Sequence, residues 1–154
     1  MEQEKYMIEA VKEALKAYQK EEIPIGAVVV KEGNIIAKGH NLKETKKNTL
    51  KHAELIAIEK ASKKLERWRL TDCDLYVTLE PCPMCMGAIL NARIRKLYFG
   101  AKDPKAGACG SIINLTQYPF NHKLQIESGI LQTESEAILK QFFKQLRQKK
   151  NKDR

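Results

Sequence analysis

Two short segments hold the side chains best suited to chemistry: His52-Ala53-Glu54 and Pro81-Cys82-Pro83-Met84-Cys85. Cys82 and Cys85 are three residues apart, which puts both sulfurs on one face of a helical turn within reach of a single metal ion. At a helix start the positive end of the dipole favours the thiolate, the form that ligates. His52 offers a nitrogen ligand. A Cys2His set fills three positions around zinc and leaves the fourth to water, and with no redox partner in the set zinc is favoured over other metals. Glu54 can face the same point only if it lies in the first turn of its helix, with the helix end looking into the site. There a carboxylate can take and return the proton of a water whose pKa zinc lowers to about 7. Glu54 as a ligand would close the site. A fourth ligand from His40, Cys73, Cys109 or His122 would also close it and make it structural.

Helices and strands must bring these segments together. Met7, Ala10, Val11, Ala14, Leu15 and Tyr18 recur at helical spacing through residues 5–20, and Glu22-Ile23-Pro24 ends that helix. Ile25 to Val30 and Ile35 to Ala37 flank Lys31-Glu32-Gly33-Asn34 as a predicted hairpin. Asn41 to Lys51 is a polar loop, and a second helix is predicted from about His52 to Lys64. Leu75 to Leu79 is a short buried strand closed by Pro81, and Pro83 suits the first turn of a third helix that continues through Leu90. Lys96 to Gly100 is another strand, followed by a loop to Gly110. Thr133-Glu134-Ser135-Glu136 has the form of a capping box, opening a last helix with Ile138, Leu139, Phe142, Phe143 and Leu146 on one side. A hairpin followed by alternating helices and strands predicts one mixed sheet covered by helices.

With 154 residues, 43% of them hydrophobic and 31% charged, the chain can bury one core, which excludes a disordered or fibrous protein. No run approaches the roughly 18 apolar residues of a membrane span. Met1-Glu2-Gln3-Glu4-Lys5 carries no apolar signal core, so a cytoplasmic location with no membrane partner is expected. Four cysteines are few for a disulfide framework, and the close Cys82–Cys85 pair reads as metal-binding or redox-active. Lys and Arg number 28 against 19 Asp and Glu, a net charge of +9. That excess suits a polyanionic partner such as nucleic acid, and it equally suits a merely soluble surface. Five basic side chains lie between Arg147 and Arg154, so a basic, disordered tail over 149–154 is expected beyond a single domain of 1–148. Neither a phosphate-binding glycine loop nor a nucleophile elbow is present.

His-x-Glu followed by Pro-Cys-x-x-Cys is an established signature of zinc nucleobase deaminases. The chain resembles the bacterial tRNA-specific adenosine deaminases of the cytidine-deaminase-like superfamily over nearly its whole length. The resemblance runs through Ile23 to Val28, Gly39-His40-Asn41, His52-Ala53-Glu54, Leu75 to Cys85, Phe99 to Asp103, Asn121-His122 and Phe142-Phe143. It implies a three-layer α/β/α cytidine-deaminase-like fold, with a single mixed sheet of about five strands flanked by helices. His52, Cys82 and Cys85 would bind one zinc ion (Zn2+) per subunit, and Glu54 would shuttle protons between the attacking hydroxide, ring N1 and the leaving ammonia. Asn41 and the backbone of Ala53 would hold the flipped adenine. Asp103 would contact ribose or neighbouring nucleotides, with Asn121, His122, Phe143 and Arg147 lining the RNA. The implied reaction is attack of zinc-bound hydroxide at C6 of the wobble adenosine of a tRNA anticodon, giving inosine, by a homodimer whose two subunits both contact RNA. Many family members carry an Asp-Pro-Thr-Ala-like run where this chain has Asn48-Thr49-Leu50-Lys51, which bears on the pocket rim and not on the zinc.

Taken without the resemblance, Asn41 and Asp103 fit ordinary turn residues and His122 a satisfied loop histidine. Phe142 follows the apolar stripe of the last helix, leaving Phe143 nearer its edge as either core or a stacking surface. Two other functions fit parts of the pattern. A deaminase of free guanine or cytosine would not need the basic last helix. A non-catalytic, zinc-stabilised RNA-binding module would need four protein ligands and no Glu54.

Overall fold

The structure is a computed structural model and describes residues 2–152. Its elements in chain order are α1 (Glu2–Gln19), β1 (Gly26–Lys31), β2 (Asn34–His40), α2 (Ala53–Leu65), β3 (Cys73–Leu79), α3 (Pro83–Asn91), β4 (Lys96–Ala101), β5 (Gln125–Ser128) and α4 (Gln132–Lys152). They form one five-stranded sheet in the order β2-β1-β3-β4-β5. β1 is antiparallel to β2 and β3, whereas β3, β4 and β5 run parallel. α3 is the crossover a parallel β3–β4 pair requires.

Alternation along the strands sorts side chains onto two faces. Val28, Val30, Tyr76 and Tyr98 pack with Tyr6, Met7 and Ala10 of α1. Ala27, Val29, Leu75, Val77, Leu97 and Phe99 face Ala53, Ala57 and Ala61 of α2 and Met86 and Ile89 of α3. Both faces are thus covered, which is why Val28, Val29 and Val30 form an unbroken apolar run. α4 packs on β4 and against α1, where Phe142 meets Tyr18 edge-on with ring centroids 5.8 Å apart. A Cβ on Gly39 would stand 2.6 Å from the Ala53 carbonyl oxygen, so only glycine lets β2 approach the first turn of α2.

Three expectations change. The edge strand β5 was not predicted as an element: its four residues bury little, and only Ile126 packs on the core. The expected capping box is not formed. α4 begins at Gln132, with Thr133 inside the first turn and the Gln132 side chain donating to Glu136 Oε1 at 2.8 Å. The helix also runs on through Lys152, so residues 149–152 are helical, not a disordered tail; Asp153 and Arg154 lie outside the described residues.

Candidate active site

α2 and α3 begin at the same end of the sheet. Their N-cap residues are His52 and Cys82, both in extended backbone, and neither side chain caps its own helix. That leaves an imidazole and a thiol free to face one another. Asn41 provides the missing cap for α2: its buried Oδ1 accepts the Ala53 N–H at 2.8 Å. His52 Nδ1 lies 3.8 Å from Cys82 Sγ and 3.5 Å from Cys85 Sγ. Zinc bonds of about 2.3 Å to sulfur and 2.0 Å to nitrogen, at tetrahedral angles, place ligand atoms roughly 3.5–3.8 Å apart, so these residues fit the ion.

The candidates for a fourth ligand are engaged elsewhere. His40 pairs with Glu13 at 3.0 Å, Cys73 lies 3.5 Å from Asp72, Cys109 lies 3.2 Å from Met86 Sδ, and His122 Nε2 lies 2.6 Å from the Ile94 carbonyl oxygen. Among the described residues the cluster of metal-ligating type here is His52, Cys82 and Cys85. A metal held by these three alone would keep a fourth position open.

Hydrogen bonds from Cys85 and then His52 lower the Cys82 thiol to about 4. Cys85 is pushed up by its bond to Cys82 and by burial. His52 is raised chiefly by its contact with Cys82. Metal binding would displace ligand protons, making affinity pH-dependent. Glu54, 4% exposed, is pushed up to about 7, first of all by burial, which suits a group that must both take and give a proton near neutrality.

His52, Glu54 and Cys82 form the floor of a cleft of about 1260 Å³. Its walls are the β2–α2 loop, the loop after β4 and one side of α4. Two buried carboxylates brace these loops. Glu22 accepts the Glu44 N–H at 3.1 Å, the Thr45 N–H at 2.6 Å and the Thr45 hydroxyl at 2.6 Å. Glu80 accepts the N–H groups of Asp103, Cys109 and Ser111 at 3.0, 2.9 and 3.2 Å, together with the Ser111 hydroxyl. The fit at Glu80 is tight, because a Cβ on Gly107 would lie 2.3 Å from its carboxylate. Burial raises the Glu80 carboxyl, but the hydrogen bonds from Ser111 and the three amides outweigh it and hold it below the usual value of 4.5. A lowered folded-state pKa means that Glu80 contributes stability in full at neutral pH and loses it as pH falls below about 4.5 towards the folded value. Glu80→Ala should therefore cost about 3 kcal/mol at pH 7, read from the urea midpoint, through orphaned donors. The loss should shrink in acid, where the wild-type carboxyl is itself protonated.

Sequence-predicted site residues fall into two groups. Asn41, Asp103, Phe143 and Arg147 line the cleft with the floor residues. Asp103 is also a turn former, its Oδ1 accepting the Lys105 N–H at 3.0 Å. Phe143 is 38% exposed while its neighbour Phe142 is buried. Ala53 is fully buried, and its N–H is taken by Asn41. Asn121 and His122 do not join the cleft of their own chain. Their loop sits where β4 begins, with His122 on the Ile94 carbonyl, whereas the cleft opens where β3 and β4 end. Sequence reading missed Glu22 and Glu80. The signal available was a lone acid between the apolar strand Leu75 to Leu79 and Pro81, a position buried only when its carboxylate finds donors.

A MafB19-like deaminase family model matches residues 1–147. The tRNA-specific adenosine deaminase of Bacillus subtilis (strain 168) is 52% identical over 148 residues, 96% of this chain and 92% of the relative. That of Aquifex aeolicus (strain VF5) is 44% identical over 96% of this chain and 97% of its own. A solved structure from work on A-to-I editing by tRNA:A34 deaminases at the wobble position of transfer RNA superposes with a TM-score of 0.85 at 44% identity, covering 87% of this chain and 98% of the other. The guanine deaminase of Nitrosomonas europaea shares the fold, with a TM-score of 0.81 at 22% identity over 90% of this chain and 83% of the other. With its near-complete coverage and the open His52–Cys82–Cys85 cluster, the chain belongs to the family of bacterial tRNA-specific adenosine deaminases.

Proposed function

We propose that this protein hydrolyses the wobble adenosine of a tRNA anticodon to inosine, with one zinc ion per subunit held by His52, Cys82 and Cys85. The observation that carries the reading is the cleft above that cluster. At about 1260 Å³ it exceeds the roughly 300–1,000 Å³ of small-molecule pockets. Lys43, Lys102, Lys105, Lys140, Lys144 and Arg147 on its walls suit phosphates. An already unpaired loop base costs least to flip into such a site.

Zinc supplies the Lewis acid that makes water nucleophilic at neutral pH. Glu54 takes a proton from the attacking water and delivers it to N1 of the adenine. The C6–O bond forms as that proton moves; Glu54 then takes the remaining proton of the new C6 hydroxyl and passes it to the amino group, and the C6–N bond breaks to release ammonia and leave the C6 carbonyl of inosine. Asn41 holds Ala53 at the head of α2 and presents its free amide edge to the base. Phe143 offers a face for a neighbouring base to stack on, and Asp103 and Arg147 meet the flanking nucleotides.

The test is inosine formation in an anticodon stem-loop bearing a wobble adenosine, run beside free adenosine, cytidine and guanine. Conversion of the stem-loop alone is expected. Turnover of a free base instead would keep the chemistry and overturn the substrate.

A homodimer is part of the same reading. Ile112, Tyr118 and Phe120 are 59%, 57% and 51% exposed, an apolar surface that a second copy would cover. Asn121 and His122, away from their own cleft, would then reach RNA held by the partner subunit. Ile112→Asp should shift sedimentation from dimer to monomer, whereas an unchanged mass would remove Ile112 from the interface.

A further inference from the structure

A second feature lies at the opposite end of α2 from the metal ligands. Between Lys60 and Leu70 the chain carries five basic side chains and one acid, with its single tryptophan, Trp68, among them. Trp68 is 58% exposed, and the Arg69 guanidinium sits 4.8 Å from its ring centroid. The turn presenting them is built, not loose. Glu66 adopts a left-handed conformation that ends the helix, its N–H and that of Arg67 bonding to the Lys63 and Ser62 carbonyls. Arg67 grips both Asp72 oxygens at 2.8 and 2.9 Å and donates to the Arg69 carbonyl at 2.6 Å. Leu70 is fully buried and anchors the far side through the Ala92 carbonyl. Asp72 is thus spent on Arg67. Lys63, Lys64 and Arg69 are exposed and make no ion pair with a carboxylate among the described residues. Among the described residues Trp68 belongs to neither core cluster, and an exposed large aromatic in a basic surround calls for a partner.

We propose that Lys63, Lys64, Trp68 and Arg69 form a second RNA-binding site, for an unpaired stretch outside the anticodon loop. The indole face supplies a stacking platform for one base, Arg69 backs it, and the two lysines meet the adjoining phosphates. The 13 residues of α2 put this surface about 20 Å from the catalytic floor, too far for it to line the cleft.

As the chain has one tryptophan, its fluorescence reads this surface alone. The full-length protein is titrated with an oligouridylate of about eight nucleotides at low salt, following Trp68 emission and the anisotropy of the labelled strand. Quenching that saturates together with anisotropy is expected. Trp68→Ala should weaken strand binding about tenfold, and Lys63→Ala with Lys64→Ala should lower its salt dependence. These exposed changes leave the fold intact by circular dichroism and leave inosine formation in the minimal stem-loop unchanged. Failure of this site is therefore distinguishable from failure of the deaminase reading. Strand binding without quenching, or unaltered by Trp68→Ala, would overturn the proposal. So would an emission shift that follows protein concentration without RNA, since a second copy would then cover the indole.

Discussion

Glu54→Ala should lower wobble deamination by at least about a hundredfold, the low end of what a positioned acid–base group supplies, while zinc content stays at one per subunit. Glu54 is buried beside the ligand cluster, and its carboxyl is pushed up to about 7 by that burial. A group so poised can collect a proton from water and hand it on without a pH change. Its removal leaves the three ligands in place, so the defect belongs in the chemical step. Single-turnover inosine formation at saturating stem-loop, with metal measured by atomic emission, separates the two. Lost activity with retained zinc supports the shuttle. Lost zinc would make Glu54 a ligand and close the site, and full activity would sink the deaminase reading altogether.

Cys85→Ala is expected to abolish activity through the metal itself. Cys85 is fully buried, with its sulfur 3.5 Å from His52 Nδ1, so no exposed group can replace it. Two remaining ligands would not hold zinc against a chelator, and water would lose roughly nine units of acidification. The variant should purify without zinc, and its melting temperature should ignore chelator, while chelator lowers that of the wild type. Retained zinc with a normal melt would show that another residue completes the set.

How far the chain could be read from its residues follows from which interactions are local. Helix starts at His52 and Cys82 were legible because Pro83 and the change in apolar period mark them within one turn. The strands of the inner sheet were legible because residues buried on both faces leave apolar runs, as at Val28-Val29-Val30 and Leu75 to Leu79. β5 was not, because an edge strand of four residues with little burial leaves no pattern. The end of α4 was misread because charge alone does not distinguish a frayed tail from a solvated helix, and Lys149 reaches Glu21 at 3.2 Å across 128 residues of sequence.

By itself, the sequence determined the candidate ligand types, the candidate acid beside them and their attachment to helix starts, since those depend on residue chemistry and short spacing. Only tertiary structure decided that His52 meets Cys82 across 30 residues and that Asn41 caps the histidine's helix. It also decided that Glu22 and Glu80 brace the two rims, and that Asn121 and His122 lie away from their own cleft. Each of these is a contact between segments distant in the chain. A buried carboxylate or an orphan amide chooses its partner by what the sheet brings within about 3 Å, and no local pattern encodes that distance.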